Sequence, residues 1–202
     1  MAPSIEKLEG ELVQGRVRLS ELFSLRREIH RPFTRHPLGF FACTLLAEGP
    51  RKLRLHFWPV EGGSPQSSEC QIHDHLFQFQ SWVMAGSVEN IEYAVSAEGQ
   101  DFAAYRTEYT GDRSTLIKSD RTLKLAELRR RTFGIGSSYA VQTGSLHKTE
   151  RVGAGPAFTV LVTIDQSTNA PLVLGPTAGP DRYVYERETL DDTVVEAMLA
   201  GL

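Results

Sequence analysis

The sequence predicts an all-β protein, built as a single antiparallel β-barrel or sandwich with short helices at its two ends. Segments in which apolar and polar residues alternate recur along the middle of the chain, roughly 8–12 residues apart. Turn signals, such as Gly111-Asp112 and the glycine-rich run 153–156, separate several of them. Helical periodicity is confined to the ends, so the pattern does not indicate a parallel sheet with interleaved helices.

Three helices are predicted. The first follows Ser4, a favourable N-cap, and runs to Val13 with apolar residues at three- to four-residue spacing. The second begins at Ser20 and ends before Pro32, because proline cannot continue a helix. The third follows Thr189 and carries one apolar stripe, formed by Val195, Met198, Leu199 and Leu202.

A length of 202 residues fits one domain with a single core. We divide residues 1–202 into an N-terminal helical segment, 1–37, a β core, 38–165, and a C-terminal wrap with the last helix, 166–202. The polar segment 61–68 is predicted to form the rim of a pocket.

The first two strands are predicted at Gly39–Leu46 and Leu53–Trp58. In the second of these, Leu53, Leu55 and Phe57 share one face and Arg54, His56 and Trp58 share the other. Either face could line an interior cavity, so both assignments stay open. Further short strands are predicted at Val88–Val95, Phe102–Tyr109, Thr115–Ile117, Leu123–Leu128, Thr132–Ile135, Tyr139–Gln142 and Phe158–Ile164.

Composition limits the classes of function. The chain is 41% hydrophobic and 23% charged with a formal net charge of −3, which is typical of a globular protein that does not bind nucleic acid. No run of about 18 apolar residues and no secretory signal pattern occurs, so we expect a cytoplasmic protein without a membrane partner, monomeric or homodimeric. Cys43 and Cys70 lack metal-binding spacing and are predicted to be free thiols.

Two histidines at i, i+2 are the main chemical signal. Alternate side chains leave the same face of a strand, so His73 and His75 lie roughly 6.6 Å apart along one side and can converge on one metal ion. A hydrogen-bonded pair without a metal is the alternative interpretation. His30 and His36 lie among Arg and Pro residues, where solvated histidines are expected.

The surroundings of the pair resemble the first motif of the cupin family, G-x5-H-x-H-x4-E-x6-G. Both histidines are present, Gln80 stands where the family has a glutamate ligand, and one residue fewer precedes Gly86. Downstream, the spacing from Gly136 through Gly144 to His147 resembles the second motif, G-x5-P-x-G-x2-H-x3-N. There Gln142 and Arg151 replace the family's Pro and Asn. The resemblance implies a cupin-type barrel, or jelly roll, with His73, His75 and His147 as ligands of one metal ion.

Within the cupins, a three-histidine site resembles the thiol dioxygenases, the cysteine dioxygenase-like proteins. That resemblance implies an Fe(II) centre that binds a small substrate and O2, with Ni, Mn or Zn as alternative ions. The chain departs from this family in two places. The region Phe40–Leu46 lacks the arginine that holds the substrate carboxylate, leaving Arg54 or Arg51 as substitutes, and Phe158–Thr163 lacks the histidine of the family's relay. We therefore expect an oxygenase with a different substrate.

Several residues are candidates for the remaining roles. Tyr139 is a candidate acid, base or hydrogen-bonding partner of a ligand. Gln80 is a candidate catalytic residue that acts either as a weak fourth metal ligand or, as we favour, through hydrogen bonds beside the metal. Glu150 is either a hydrogen-bonding partner of a ligand or a surface carboxylate beside Lys148. The predicted substrate pocket is formed by Arg54, His56, Trp58, Trp82 and Met84. The alternative functions are a non-redox cupin, acting as an isomerase or lyase, and a small-molecule-binding cupin without catalysis.

Overall fold

The computed structural model describes residues 3–61, 65–66, 69–167 and 169–200. These residues are mostly β and form two antiparallel sheets and three helices, as the sequence predicts at this level. The pocket rim predicted over 61–68 lies largely outside the described residues. The elements in chain order are α1 (Ile5–Val13), α2 (Leu19–Glu28), β1 (Thr34–Arg35), β2 (Phe41–Glu48), β3 (Arg51–Trp58), β4 (Ile72–His73), β5 (Phe77–Ala85), β6 (Ser87–Thr110), β7 (Arg113–Gly134), β8 (Ser138–Val141), β9 (His147–Val152), β10 (Ala157–Asp165), β11 (Leu172–Gly175), β12 (Arg182–Glu186) and α3 (Asp192–Leu199).

Each sheet has six strands. The first has the order β1-β2-β3-β10-β5-β8, and the second has the order β11-β4-β9-β6-β7-β12, with β11 also pairing with β6. Every pairing is antiparallel. The N-terminal half of the chain contributes strands to both sheets, and the last third of the chain adds further strands to each sheet.

The outer face of the first sheet is covered by the helices. Leu53, Leu55 and Phe57 of β3 are buried there with Ile5 of α1 and Leu22 of α2. This contact decides the question that alternation alone leaves open: Arg54, His56 and Trp58 point away from the helices, toward the second sheet. The main hydrophobic core is therefore outside the cavity between the sheets.

The strands predicted separately at Val88–Val95 and Phe102–Tyr109 are one strand, β6, and those predicted at Thr115–Ile117, Leu123–Leu128 and Thr132–Ile135 belong to β7. The two form one long hairpin with register shifts, the largest where β6 inserts residues between Val95 and Gln100 opposite Leu125. A Cβ on Gly99 would lie 2.3 Å from the Leu125 backbone, so glycine permits this bulge. A bulge interrupts the alternation of apolar and polar residues along a strand. The sequence pattern therefore indicated strand ends at positions where β6 and β7 continue.

The helix predictions are confirmed to within a few residues. The Ser4 side chain caps α1 by accepting from the Lys7 backbone N–H at 3.2 Å. Asp191 caps α3 in the same way, accepting from Thr193 N–H at 2.8 Å. Leu202, the last residue of the predicted stripe, lies outside the described residues. None of the helices in the described part of the chain combines the length and apolar character needed to cross a bilayer.

Candidate metal centre

Strand pairing brings the three predicted histidine ligands together. His73 ends β4 and His147 begins β9, and the two residues are directly opposed across the β4–β9 pair. His75 follows β4 after one residue. The ring centroids are 4.7 Å apart for His73 and His75, 4.9 Å for His73 and His147, and 5.0 Å for His75 and His147.

The potential ligand nitrogens of these residues all lie within 4.8 Å of one another, and the group can hold a metal ion. We call it the histidine triad. Nitrogens around a tetrahedral or octahedral ion of typical bond length, about 2.0–2.2 Å, are separated by roughly 3–3.6 Å. The three side chains would therefore need to converge further around a bound ion only where their nitrogens lie beyond that separation.

Hydrogen bonds fix which ring nitrogens face the centre of the triad. His73 Nδ1 lies 2.8 Å from the Gln71 carbonyl, and His147 Nδ1 lies 2.8 Å from Asn90 Oδ1. Oxygen atoms of this kind only accept, so each Nδ1 carries the hydrogen and each Nε2 keeps its lone pair. The Nε2 of His147 is buried and has no hydrogen-bond partner among the described residues. A buried acceptor without a partner is costly, and a metal ion would satisfy it.

Burial also keeps the triad in the protonation state that metal binding needs. Removal from solvent lowers the pKa of all three histidines, and for His75 and His147 the pKa falls well below the usual value, with the charge of neighbouring imidazoles adding to the effect. The imidazoles are therefore neutral at neutral pH. A neutral ring is the form that donates a lone pair to a metal.

A cavity of about 390 Å³ opens between the two sheets beside the triad. The structure places Arg54, His56, Trp58 and Tyr139 in its wall, in the region where the sequence predicts the substrate pocket. We call this space the triad cavity.

His36, expected to be solvated, also lies in the triad cavity wall, stacked on Phe40 at 4.2 Å. Burial lowers its pKa, with positive neighbours such as Arg187 contributing. The sequence context of Arg and Pro was misleading, because the turn after β1 folds inward and carries His36 with it.

The structure corrects the assignment of Trp82, Met84 and Gln80 to the site. Trp82 is buried in the core beneath the helices, and Met84 packs against that core. Gln80 shares their face of β5, because it is directly opposed to Val162, another member of the same core. The inward face of β5 is formed by the other set of residues, including Phe79. Apolar residues at alternate positions of β5 indicated that one of its faces is buried, but they did not indicate whether the helices or the second sheet cover that face.

Tyr139 and Glu150 lie in different surroundings. Tyr139 lines the triad cavity, where burial raises the pKa of its phenol and the neighbouring Thr149 hydroxyl opposes part of the rise. Glu150 forms an ion pair with Lys148 at 2.8 Å and is partly exposed. The surface interpretation of Glu150 therefore fits its position.

Asn90 is the supporting residue that sequence reasoning missed. It is buried, and its Oδ1 accepts from both His147 Nδ1 at 2.8 Å and Thr149 Oγ1 at 3.0 Å. A polar residue between the apolar Val88 and Ile91 was a signal, but its partner lies 57 positions away. Arg187, from the C-terminal segment after β12, also reaches the cavity without any local signal.

Comparison with known proteins does not assign the chain to a family. No protein-family model matches the sequence, and a search of curated proteins gives no significant match. The case for a function therefore depends on the site.

Proposed function

We propose that this protein is a metal-dependent oxygenase of the three-histidine cupin type, similar to the cysteine dioxygenase-like proteins, that oxidises a small organic substrate with O2. The observation that carries the proposal is the buried Nε2 of His147, which has no partner among the described residues and faces two further neutral imidazoles. The two facing sheets with a cavity between them are compatible with the proposed barrel.

His73, His75 and His147 would hold the ion, and Fe(II) is the metal we propose. Three neutral ligands leave its charge uncompensated and its remaining coordination positions open, so bound iron would supply a place for substrate and O2 to meet. Both oxygen atoms would enter the substrate, and no external reductant is then required.

The protein's own residues would prepare the substrate. Phe77 and Phe79 pack against His75, with ring centroids at 4.5 and 5.5 Å, and exclude water from that side of the triad. Tyr139 lines the cavity and keeps its phenol proton at neutral pH, since burial raises its pKa further above the usual value, and it could donate a hydrogen bond to the substrate.

The test is anaerobic loading with Fe(II), Mn(II), Ni(II) or Zn(II), followed by oxygen-uptake assays over thiols, amino acids and aromatic acids. We expect uptake with the iron form alone and none in His147→Ala, while Gln80→Ala, on the other face of β5, keeps its activity. Anaerobic turnover by the Zn(II) or Mn(II) form, without oxygen uptake by the iron form, would replace the oxygenase with an isomerase or lyase.

A further inference from the structure

The wall of the triad cavity carries charge of one sign. Three arginines line it, and no Asp or Glu is among the described residues that do. The five lining histidines are held neutral by burial, which lowers the pKa of His56, for example, to about 3. The internal positions outside the described ranges are occupied only by Gly, Ser and Thr, so they supply no acid either. A concave site with this composition attracts anions.

Arg54 is a partly buried cation of this wall, and no carboxylate among the described residues forms an ion pair with it. Its Nε is buried and has no hydrogen-bond partner among the described residues, and its guanidinium lies over the Phe77 ring at 4.8 Å. The carboxylate that acts on it from a distance, Asp165, forms an ion pair with Lys52. By contrast, the buried guanidinium of Arg26 meets Asp192 at 2.8 Å and Glu196 at 3.0 Å. A buried cation without such partners is costly unless a ligand supplies the anion.

Two further buried donors without partners line the same space. Trp58 Nε1 and Thr163 Oγ1 have no hydrogen-bond partner among the described residues. Thr163 of β10 lies diagonally across from Arg54 of β3, since Leu161 is directly opposed to Arg54. Indole and guanidinium N–H groups only donate, so the complementary ligand must offer acceptors.

An ammonium group would meet no carboxylate among the described residues of this wall. Asp74 lines a neighbouring cavity of about 100 Å³, which shares His73 and His75 with the triad cavity, and Asp74 is not among the described residues that line the triad cavity itself. Its carboxylate already accepts from the Leu172 backbone N–H at 2.7 Å. An amino acid would therefore lose the hydration of its ammonium group without gaining an opposite charge beside it.

Six aromatic side chains besides histidine also line the wall: Phe40, Trp58, Phe77, Phe79, Tyr109 and Tyr139. The Phe77 ring contacts both Arg54 and His75, so a single aromatic ring links the Arg54 guanidinium to the triad. Building on the proposed function, we propose that the triad cavity takes an aromatic organic acid without an amino group. Its oxyanion binds Arg54 and its ring lies across Phe77 toward His75.

Calorimetric binding to the Zn(II)-loaded protein tests this with four probes: 3-phenylpropionate, its neutral amide, L-phenylalanine and inorganic phosphate. We expect 3-phenylpropionate to bind at least about tenfold more tightly than the other three probes, because losing one charge-assisted hydrogen bond lowers affinity by roughly that factor. Arg54→Gln should remove the preference over the neutral amide, whereas Arg121→Gln, at an exposed arginine of the hairpin, should retain it.

Thr163→Val provides a variant that is expected to fold. It removes a buried hydroxyl without a described partner, so the melting temperature should rise or stay equal while 3-phenylpropionate binding weakens. Equal binding of L-phenylalanine, equal binding of phosphate, or unchanged affinity in Arg54→Gln would each overturn the proposal. Since binding needs no oxygen, Arg54-dependent acid binding without any oxygen uptake would count against the oxygenase alone.

Discussion

Asn90 determines which nitrogen of His147 faces the other two histidines. Its Oδ1 holds the hydrogen on Nδ1 and leaves the Nε2 lone pair directed at the triad. Thr149 donates to the same oxygen, which keeps the amide in this orientation. Such supporting hydrogen bonds set both the tautomer and the ring direction of a metal ligand.

We expect Asn90→Ala to weaken Zn(II) binding by about 10–100-fold, the usual effect of losing a hydrogen-bonding partner of a ligand. The affinity is measured by competition with a chromophoric chelator. Asn169→Ala, at an exposed asparagine, is the control and should bind as the unaltered protein does. Equal affinity in Asn90→Ala would show that packing alone orients His147.

At the scale of elements, one buried arginine joins α2 to α3. Arg26 is 1% exposed and donates to Asp192, Glu196 and the Arg31 carbonyl. Its neighbour Arg27 contacts the same Glu196 from solvent, with its side chain 52% exposed. Substitutions at Arg26 and Arg27 therefore allow the contribution of a buried arginine to an ion pair to be compared with that of an exposed one.

Arg26→Ala should lower the free energy of unfolding by about 2 kcal/mol, because it removes charge-assisted hydrogen bonds whose acidic partners can return to water. Arg27→Ala should change it by less than about 0.5 kcal/mol. Urea denaturation of both variants is the measurement. Equal effects would mean that burial of Arg26 adds nothing to the α2–α3 contact.

Two glycines should respond to alanine with opposite signs. At Gly99, a Cβ would collide with the Leu125 backbone, so Gly99→Ala should cost about 1–3 kcal/mol through displacement of the β6 bulge. At Gly10, inside α1, nothing lies within 4 Å, and Gly10→Ala should stabilise the protein by roughly 0.5–1 kcal/mol. Thermal or urea unfolding gives both values. A stable Gly99→Ala protein would indicate that the hairpin can change register there.

At the scale of the whole molecule, the main core does not depend on the triad. The apolar cluster beneath the helices lies on the face of β3 opposite to the triad cavity, since Leu53, Leu55 and Phe57 belong to the cluster while Arg54, His56 and Trp58 line the cavity. Removal of metal by a chelator should therefore leave the far-ultraviolet circular dichroism unchanged. At a metal concentration of 100 times Kd, binding adds about 2.7 kcal/mol, so chelation should lower Tm by roughly 5–11 °C. Global unfolding on chelation would show instead that the ion is structural.

The sequence allowed prediction wherever the determinant is local. The His73 and His75 pair, the Ser4 cap and the three helices all depend on spacing within one segment. The side of β3 and β5 that faces the cavity depends on which layer covers each face. The predicted pocket residues Arg54 and Trp58 of β3 therefore line the cavity, whereas Trp82 of β5 belongs to the core. Asn90 and Arg187 reach the site through pairings between distant segments, which single-sequence patterns do not encode.

Strand β3 divides its residues between two tasks. Leu53, Leu55 and Phe57 belong to the core, and the intervening residues belong to the cavity wall. Substitutions at 54, 56 and 58 can therefore retune ligand selectivity while the odd-numbered positions preserve the scaffold. Variants of this protein could therefore evolve to bind different ligands while the folded scaffold is retained. A combinatorial library restricted to codons 54, 56 and 58 would sample such variants directly.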